Sequence, residues 1–401
     1  MPEVRPFKGI RYSGKRIKDL SRVVAPPYDI IPQKMQGELY RADEHNIVRL
    51  ILNKIEDTDT AGDNRYTRSK AFFESWLKGG VLIQDKKPAI YIYSQIYKDG
   101  TKTINRTGFI ALMALDMEGK TVLPHENTLA APKVDRLDLM RSVKANLSPI
   151  FVLYDDKPHN ILKLLKNFAL KNKALIDVVF DDVRHRVWAL DDERVIEEIE
   201  RAMSKKDIFI ADGHHRYEVA RMYTRESPDA RFMMAYFVES AEKTLTVLPT
   251  HRVVRDIGSL KKDDVPEKLK EAFVVAKVNA LEPLITRMSK EKRPAFGMYL
   301  GNGAFYMLKA KRLRGLDVAI LHSSIIGDIL KINDSDENIE FVKDPKEAVK
   351  LADSGNHKLA FFLNPTKVEE VKRVAKRGER MPKKATYFYP KPLSGLVINK
   401  L

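Results

Sequence analysis

The sequence predicts an α+β protein in which mixed sheets are interspersed with helices. Apolar runs of strand length recur along the chain, segments with helical periodicity lie between them, and turn residues separate the two. With 44% hydrophobic and 31% charged residues, the 401-residue chain is too apolar to be disordered. We expect a catalytic region at 1–255 and a C-terminal α/β region at 256–401, because the polar run at 261–264 interrupts the pattern.

In the first half, residues 46–52 form an apolar run that predicts a buried strand, and 64–78 predict a helix ended by Gly79-Gly80. Residues 89–97 alternate, and Asp99-Gly100 predicts a hairpin to a second strand. The remaining predicted elements are a strand at 103–115, an irregular stretch at 116–132, a helix at 133–147, a strand at 150–154, a helix at 158–172, a hairpin at 175–190, a helix at 192–205, a strand at 207–211 and a helix at 217–225.

The second half repeats the mixture of strands and helices. Gly301-Asn302-Gly303 predicts a hairpin turn between strands at 295–300 and 304–310. The other predicted elements are strands at 231–238 and 244–255, strand–helix pairs at 338–354 and 358–377, and an irregular then strand-like end at 380–401, whose basic tail we expect to return to the site.

Charge and composition restrict the chemistry. There are 71 Lys and Arg residues against 55 Asp and Glu residues, a formal net charge of +16, which favours anionic partners such as nucleotides or nucleic acid. The absence of cysteine excludes thiol catalysis, disulfides and Cys-ligated metals. Without a run of about 20 apolar residues or an apolar core in residues 1–8, we expect a cytoplasmic protein without membrane contact.

The most informative motif is a buried apolar run that ends in Asp212-Gly213-His214-His215-Arg216 and continues as a helix. Such a junction places unpaired backbone N–H groups and the positive end of a helix at one point, which suits phosphate. We expect Gly213, His215 and Arg216 to bind phosphate, and Asp212 and His214 to take part in catalysis. The alternative is an aspartate N-cap beside surface histidines.

A second motif combines His125-Glu126 in an irregular segment with Lys133 and Arg136 just downstream. A carboxylate there suits a general base for a hydroxyl group, so we expect Glu126 to be catalytic and His125 to contact substrate. Lys133 and Arg136 are candidate phosphate ligands. The alternative is a polar loop before a helix with a charged first turn.

Basic and aromatic residues are interleaved at 380–392, where Lys383, Lys384 and Lys391 stand beside tyrosines and prolines. Cations suit phosphate and rings suit a base, so we expect these three lysines to bind a nucleotide. The same pattern also fits a nucleic-acid backbone or the solvated face of an edge strand.

Two further residues are candidate substrate ligands. Asp29 ends the stretch Ala25-Pro26-Pro27-Tyr28, and His251 follows an apolar strand. Proline-rich turns are usually structural, and a histidine in this position is more often a core residue. There is no G-x-x-x-x-G-K-[ST] loop and no G-x-G-x-x-G, so nucleotide chemistry here requires a different phosphate site.

Several longer motifs lie along the chain: APPYDII, PHENT, KVDRL, ADGHHRYEVA, LPTHRVV and MPKKATYFYPK. Together they resemble a widespread prokaryotic family of unknown function, domain-of-unknown-function family 1015. The resemblance extends over essentially the whole chain.

The turn at Asp212–Arg216 also resembles the signature of the ParB/sulfiredoxin superfamily, which includes partition proteins, sulfiredoxins and free-serine kinases. The resemblance implies a nucleotide-binding strand–turn–helix element and phosphoryl transfer from a nucleotide to free L-serine or a similar hydroxyl compound. We expect ATP or ADP as the donor and Mg²⁺ bridging its phosphates, because phosphoryl transfer depends mainly on positioning and electrostatic stabilisation. The missing cysteine excludes sulfiredoxin chemistry. The kinases' separate catalytic carboxylate has no motif match here, so Glu126 is chosen from its chemistry, with Asp29 as the substitute.

Three hypotheses follow from these observations. The first is a nucleotide-dependent small-molecule kinase that converts L-serine to O-phosphoserine. The second is a nucleotide-binding, ParB-like DNA-binding protein, which the net charge favours but which lacks a helix-turn-helix pattern. The third is a metal-dependent hydrolase using histidines and carboxylates, disfavoured because adjacent histidines rarely face one metal.

Overall fold

The computed structural model describes residues 2–128, 130–241, 244–335 and 337–401. Its chain divides into two compact units. The first comprises Met1–Pro124, Thr128–Thr246 and Pro390–Leu401, and the second comprises His125–Asn127 and Val247–Tyr389.

The predicted α+β class with mixed sheets is confirmed, and its elements follow in chain order. The strands are β1 (Val4–Arg5), β2 (Ile10–Tyr12), β3 (Leu82–Gln84), β4 (Ile90–Asp99), β5 (Lys102–Ala114), β6 (Val122–Leu123), β7 (Ala145–Asn146), β8 (Ile150–Tyr154), β9 (Ile176–Phe180), β10 (Val183–Leu190), β11 (Ile208–Asp212), β12 (Phe232–Glu239), β13 (Thr246–Leu248), β14 (His251–Val254), β15 (Phe273–Val278), β16 (Ala295–Tyr299), β17 (Phe305–Ala310), β18 (Ile339–Val342), β19 (Leu359–Phe362), β20 (Tyr387–Tyr389) and β21 (Asn399–Lys400). The α-helices are α1 (Gln33–Ala42), α2 (Val48–Ile51), α3 (Arg65–Lys78), α4 (Ala130–Val143), α5 (Asn160–Lys171), α6 (Glu193–Met203), α7 (His214–Tyr223), α8 (Val265–Leu269), α9 (Leu281–Ser289), α10 (Asp317–Ile320), α11 (Pro345–Asp353) and α12 (Val368–Lys376). A π-helix covers Leu321–Ile329, and 3₁₀ turns cover Leu20–Arg22, Tyr28–Ile30 and Lys262–Asp264.

The first unit is built on a mixed sheet with the strand order β6-β11-β8-β12-β5-β4-β10-β9, in which β1 also pairs with β5. Strand β11 runs antiparallel to β8, while β8 and β12 are parallel. The five residues of β11 and of β8 are all buried, as expected for central strands with near-continuous apolar sequences. The end of β11, where Asp212 lies, is therefore buried in the sheet, and its pairing with β8 shifts register between Ile210 and Asp212.

The C-terminal segment Pro390–Leu401 returns to the first unit. Ser394 forms a bridge with Ala25, Ile398 forms one with Ile10, and β21 pairs with β7. Nearer its start, the Gln95 amide donates to the Lys391 carbonyl at 3.0 Å, and the Arg106 guanidinium donates to the Pro390 carbonyl. These contacts fix the position of the Lys391 backbone.

The second unit contains an antiparallel sheet with the strand order β15-β17-β16-β19-β14-β18. The two units divide at Thr246 rather than near residue 255, because β14 pairs with β18 and β19 of this sheet. Among the described residues, no helix is long and apolar enough to cross a bilayer.

Two sequence predictions near the site are wrong in detail. Residues 48–51 form helix α2 instead of a strand, because the Asn46 side chain accepts from the Val48 N–H and donates to the carbonyls of Arg22 and Val24. Such local side-chain bonds favour a helix start over a strand. Helix α7 begins at His214 instead of residue 217, so the histidines lie in its first turn.

Buried His185 is expected to make the first unit less stable in acid. Burial, followed by the charge of Arg106, lowers the pKa of His185 to about 3, against about 6.5 when unfolded. Between these values the unfolded chain holds the proton and the native chain does not, so stability falls as pH drops from 6.5 towards 3, by about 1.4 kcal/mol per pH unit.

Urea unfolding followed by tryptophan fluorescence measures this slope, because Trp76 and Trp188 both lie in the first unit. His185→Gln loses the bond between the imidazole and the Tyr93 hydroxyl (2.6 Å) at every pH, but it should remove the acid slope that His185 causes. Equal slopes for both proteins would contradict the assignment.

Candidate functional site

The candidate site of the first unit begins at the junction of β11 and α7. Gly213 caps the helix with a φ of +93°, a left-handed conformation that glycine adopts with little cost. A Cβ atom at this position would lie 2.7 Å from the Ile150 Cγ2 atom and 3.1 Å from the Arg216 Cζ atom. The turn therefore requires glycine for its conformation and for close packing against Arg216.

Gly213→Ala is expected to destabilise the first unit by about 1–3 kcal/mol through backbone strain, with a further cost from the contact with Ile150. Urea unfolding followed by tryptophan fluorescence measures this change in the free energy of unfolding. Gly80→Ala is the matched control, because Gly80 has a φ of +67° but no atom within 4 Å of the position that an alanine Cβ would take. If both variants lose equal stability, the close packing at Gly213 contributes nothing.

Asp212 holds two cations at the end of β11. Its Oδ2 atom accepts from Arg216 Nη2 at 2.8 Å, and its Oδ1 atom contacts Lys391 Nζ. All three side chains are largely buried, and the Lys391 backbone is held by Gln95. Asp212 therefore holds two cationic side chains at the first turn of α7.

Arg136 and Tyr28 form the second part of the site. The Arg136 guanidinium lies 4.1 Å from the Tyr28 ring centroid, donates from Nε to Asp135 at 2.6 Å, and donates from Nη1 to the Ile51 carbonyl at 2.5 Å. Burial lowers the pKa of Arg136 to about 10, so this arginine is still charged at neutral pH.

The two parts are electrostatically coupled. Burial raises the pKa of Tyr28, and the charges of Asp29, Arg136, Arg216 and Asp212 also act on its hydroxyl. The first unit therefore brings four of the predicted site residues together around one tyrosine.

A small cavity of about 60 Å³ lies beside these side chains. Its polar lining comprises Tyr28, Arg136, Asn146, Ser148 and Arg216, and its apolar lining comprises Ile51, Leu139, Met140, Ala145, Leu147, Val219 and Met233. Arg216 thus contacts Asp212 and also faces the cavity.

Three other predicted residues of the first unit have less defined settings. His214 is buried in the first turn of α7, and His215 beside it is partly exposed. Lys133 lies on α4 and is partly exposed. Their predicted roles stay predictions.

The second unit contains the remaining predicted site residues. His125 is fully buried, with its Nε2 atom 3.2 Å from the Thr386 hydroxyl, and Glu126 forms a parallel bridge with Met381. Lys383 and Lys384 are exposed on a loop whose carbonyls accept from Arg252 Nη2 at 3.0 and 3.3 Å.

His251 is buried in the second unit. Its Nδ1 atom accepts from the Leu363 N–H at 3.3 Å, and its ring meets Phe362 edge-on. Burial, followed by the charge of Arg252, lowers the pKa of His251 to about 4, so the ring is neutral at physiological pH. Its predicted contact with substrate stays a prediction.

Comparison with known families agrees with the motifs in the sequence. Residues 4–320 match the family described as "Protein of unknown function (DUF1015)". The chain belongs to this family. The family predicted from the motifs is thereby confirmed. A search of the curated proteins found no match.

Several solved structures are similar to this member of the family. A mutant free serine kinase in complex with AMP is 15% identical, covering 70% of this chain and 87% of its own, with a TM-score of 0.40. A conserved hypothetical protein from Pyrococcus furiosus is 15% identical, covering 71% of this chain and 92% of its own (TM-score 0.38). SbnI from Staphylococcus aureus, truncated at its C-terminus, is 11% identical, covering 71% and 85% (TM-score 0.37).

A resident metal ion does not fit the described residues. In residues 2–128, 130–241, 244–335 and 337–401, no three histidine, aspartate or glutamate side chains come together as ligands. Both Asp212 oxygens already contact cations. We therefore assign no step to a protein-held metal.

Sequence reasoning missed Tyr28 as a site residue and Asp135 as the partner of Arg136. Tyr28 is adjacent to Asp29 in the proline-rich motif, and Asp135 is adjacent to Arg136. Asp135 also contacts Arg65 and accepts from the Tyr66 hydroxyl at 2.8 Å. For Asp135 and Arg136, the only indication in the sequence was that an acidic and a basic residue are adjacent.

Proposed function

We propose that the chain is a nucleotide-dependent phosphotransferase that phosphorylates the hydroxyl group of a free amino acid, with L-serine as the first candidate acceptor. The observation that carries the proposal is the Lys391–Asp212–Arg216 ion triad at the first turn of α7. It combines a helix N-terminus, two cationic side chains and a neighbouring arginine-lined cavity in one unit.

The donor phosphates would bind at the first turn of α7. The N–H groups of His214, His215 and Arg216 stand where a helix has no intrahelical acceptors, and the helix dipole favours anions there. Gly213 places no side chain in front of them. Lys391 adds a buried point charge, which suits a reaction that depends mainly on positioning and electrostatic stabilisation.

Asp212 is assigned a positioning role instead of the catalytic role expected from sequence. A general base needs a lone pair directed at the proton it removes, and each Asp212 oxygen contacts a cation. The carboxylate therefore orients Lys391 and Arg216.

We assign the carboxylate that accepts the substrate proton to Asp29. Asp29 is exposed and its charge acts on Tyr28 together with those of Asp212, Arg136 and Arg216. In the reaction, the acceptor oxygen forms a bond to the terminal phosphorus, the bond from that phosphorus to the bridging oxygen breaks, and the hydroxyl proton moves to Asp29. Glu126, which belongs to the second unit, stays the other candidate.

The nucleotide would arrive as its magnesium complex and act as a substrate, since Mg²⁺ usually binds through phosphates and only one or two carboxylates.

The DNA-binding and hydrolase hypotheses have no specific support in the described site, and both stay predictions.

A phosphoryl-transfer screen tests the proposal. Purified protein is incubated with magnesium ATP or ADP and a panel of amino acids and small alcohols, and products are identified by mass spectrometry. We expect O-phosphoserine, with its formation abolished in Lys391→Met. No phosphorylated product from any acceptor, despite tight nucleotide binding, would overturn the proposed function.

A further inference from the structure

The cavity beside Arg136 and Arg216 is too small to enclose a nucleotide. Its volume of about 60 Å³ is well below the roughly 300–1,000 Å³ of pockets that enclose drug-sized ligands. A cavity of this size accommodates a small polar group and little more. The sequence assigned Arg136 and Arg216 to nucleotide phosphates, whereas the cavity that both side chains line fits a smaller ligand.

Both arginines have N–H donors beyond those that their protein contacts use. A guanidinium has five N–H donors, and Arg136 directs Nε and one terminal N–H to Asp135 and Ile51, with a further ion-pair contact from Nη2 to Asp135. Arg216 uses one N–H for the Pro149 carbonyl and one for Asp212. Each arginine therefore retains N–H groups beyond these contacts, on a side chain that lines the cavity.

Two neutral polar side chains of the cavity already take part in protein contacts. The Asn146 oxygen accepts from the Met234 N–H at 3.0 Å and from the Asn399 amide at 3.1 Å, and the Ser148 hydroxyl is 2.6 Å from the Ser394 hydroxyl. Because their N–H groups are charged, the two arginines are the strongest donors in the lining.

The charge of the cavity lining favours an anionic group. Arg65, Asp135 and Arg136 together carry one net positive charge, and Arg216, with one of its N–H groups on Asp212, lines the same cavity. Guanidinium groups form strong charge-assisted hydrogen bonds with carboxylates.

We propose that this cavity is the subsite for the α-carboxylate of the amino-acid acceptor. Arg136, held rigid by Asp135 and the Tyr28 ring, and Arg216 bind the carboxylate through charge-assisted bonds. The apolar side chains of Leu139, Met140 and Val219 restrict the space beside it. The identification of the ligand as the amino-acid acceptor rests on the proposed function, whereas the binding of a carboxylate in this cavity does not.

Calorimetric binding without nucleotide tests the subsite directly. On the unmodified protein, L-serine and L-serinamide are compared, because they differ in the carboxylate alone. We expect L-serinamide to bind about 10- to 100-fold more weakly, as expected for losing charge-assisted hydrogen bonds. Equal binding of the two ligands would overturn the subsite without any variant.

Arg136→Gln and Arg65→Gln form a matched pair of variants. Both remove one cation from Asp135, but only Arg136 lines the cavity. We expect Arg136→Gln to weaken L-serine binding by a similar 10- to 100-fold and Arg65→Gln to change it little. Equal loss in both variants, or displacement of serine by inorganic phosphate at comparable concentration, contradicts a carboxylate subsite.

The outcomes separate the two proposals. Carboxylate-dependent binding of L-serine without phosphoserine formation would retain the subsite and reject the kinase function. Phosphoserine formation with the same KM for serine in Arg136→Gln and Arg65→Gln would retain the function and reject the subsite.

Discussion

Asp29→Asn is expected to lower kcat for amino-acid phosphorylation by about 10²- to 10⁴-fold, the usual contribution of a positioned general base. Asparagine keeps the size of the side chain but cannot accept the hydroxyl proton. Because Asp29 is exposed, the variant should retain its unfolding midpoint. The measurement is kcat at saturating serine and nucleotide.

Glu126→Gln is the comparison that decides between the two carboxylates. The Glu126 side chain is partly exposed, at 23%, so this variant should also fold. If Asp29 is the base, Glu126→Gln keeps most of the activity. The opposite pattern, with loss in Glu126→Gln and retention in Asp29→Asn, would assign the role to the residue that the sequence first favoured.

Local chemistry explains the elements that the sequence predicts well. The Asp99-Gly100 turn joins β4 and β5 in a regular antiparallel register, as expected from its turn type. The Asp192 side chain accepts from the N–H groups of Arg194 and Val195, which makes the start of α6 readable from sequence. These features depend on residues within a few positions of each other.

The sequence was less informative where distant residues decide the structure. Residues 48–51 have the composition of a strand but form a helix, through contacts between Asn46 and backbone carbonyls more than 20 positions away. The π-helix at Leu321–Ile329 had no signal in the apolar pattern. Apolar runs of this length fit either a buried strand or a buried helix, so periodicity alone does not decide.

The candidate site shows the same limit. The motif at Asp212–Arg216 predicted a turn, and the structure has one there, with Gly213 at positive φ. Lys391 was predicted as a phosphate ligand, but its contact with Asp212, 179 positions away, had no sequence signal. The sequence also gave no reason to prefer Asp29 over Glu126. It did not show that the charges of Asp29, Arg136 and Arg216 act on the hydroxyl group of the same tyrosine.

Asp212→Asn is expected to be the most destabilising substitution in the site, by about 3–5 kcal/mol. Removing one partner of a buried ion pair leaves the other charge without compensation, and here two cations, Arg216 and Lys391, would remain. Urea unfolding followed by the fluorescence of Trp76 and Trp188 measures the loss in the first unit.

A double-mutant cycle separates the loss of charge balance from a simple change of packing. Lys391→Met alone should cost less than Asp212→Asn, because Asp212 keeps its bond to Arg216. In the double variant Asp212→Asn/Lys391→Met, one of the two cations that Asp212 contacts is gone, so the combined loss should be smaller than the sum of the single losses by about 0.5–3 kcal/mol. Additive losses would mean that the two side chains are not coupled in solution. In that case the C-terminal segment would contribute no charge to the first turn of α7, and the proposed binding of donor phosphates by Lys391 would lose its structural basis.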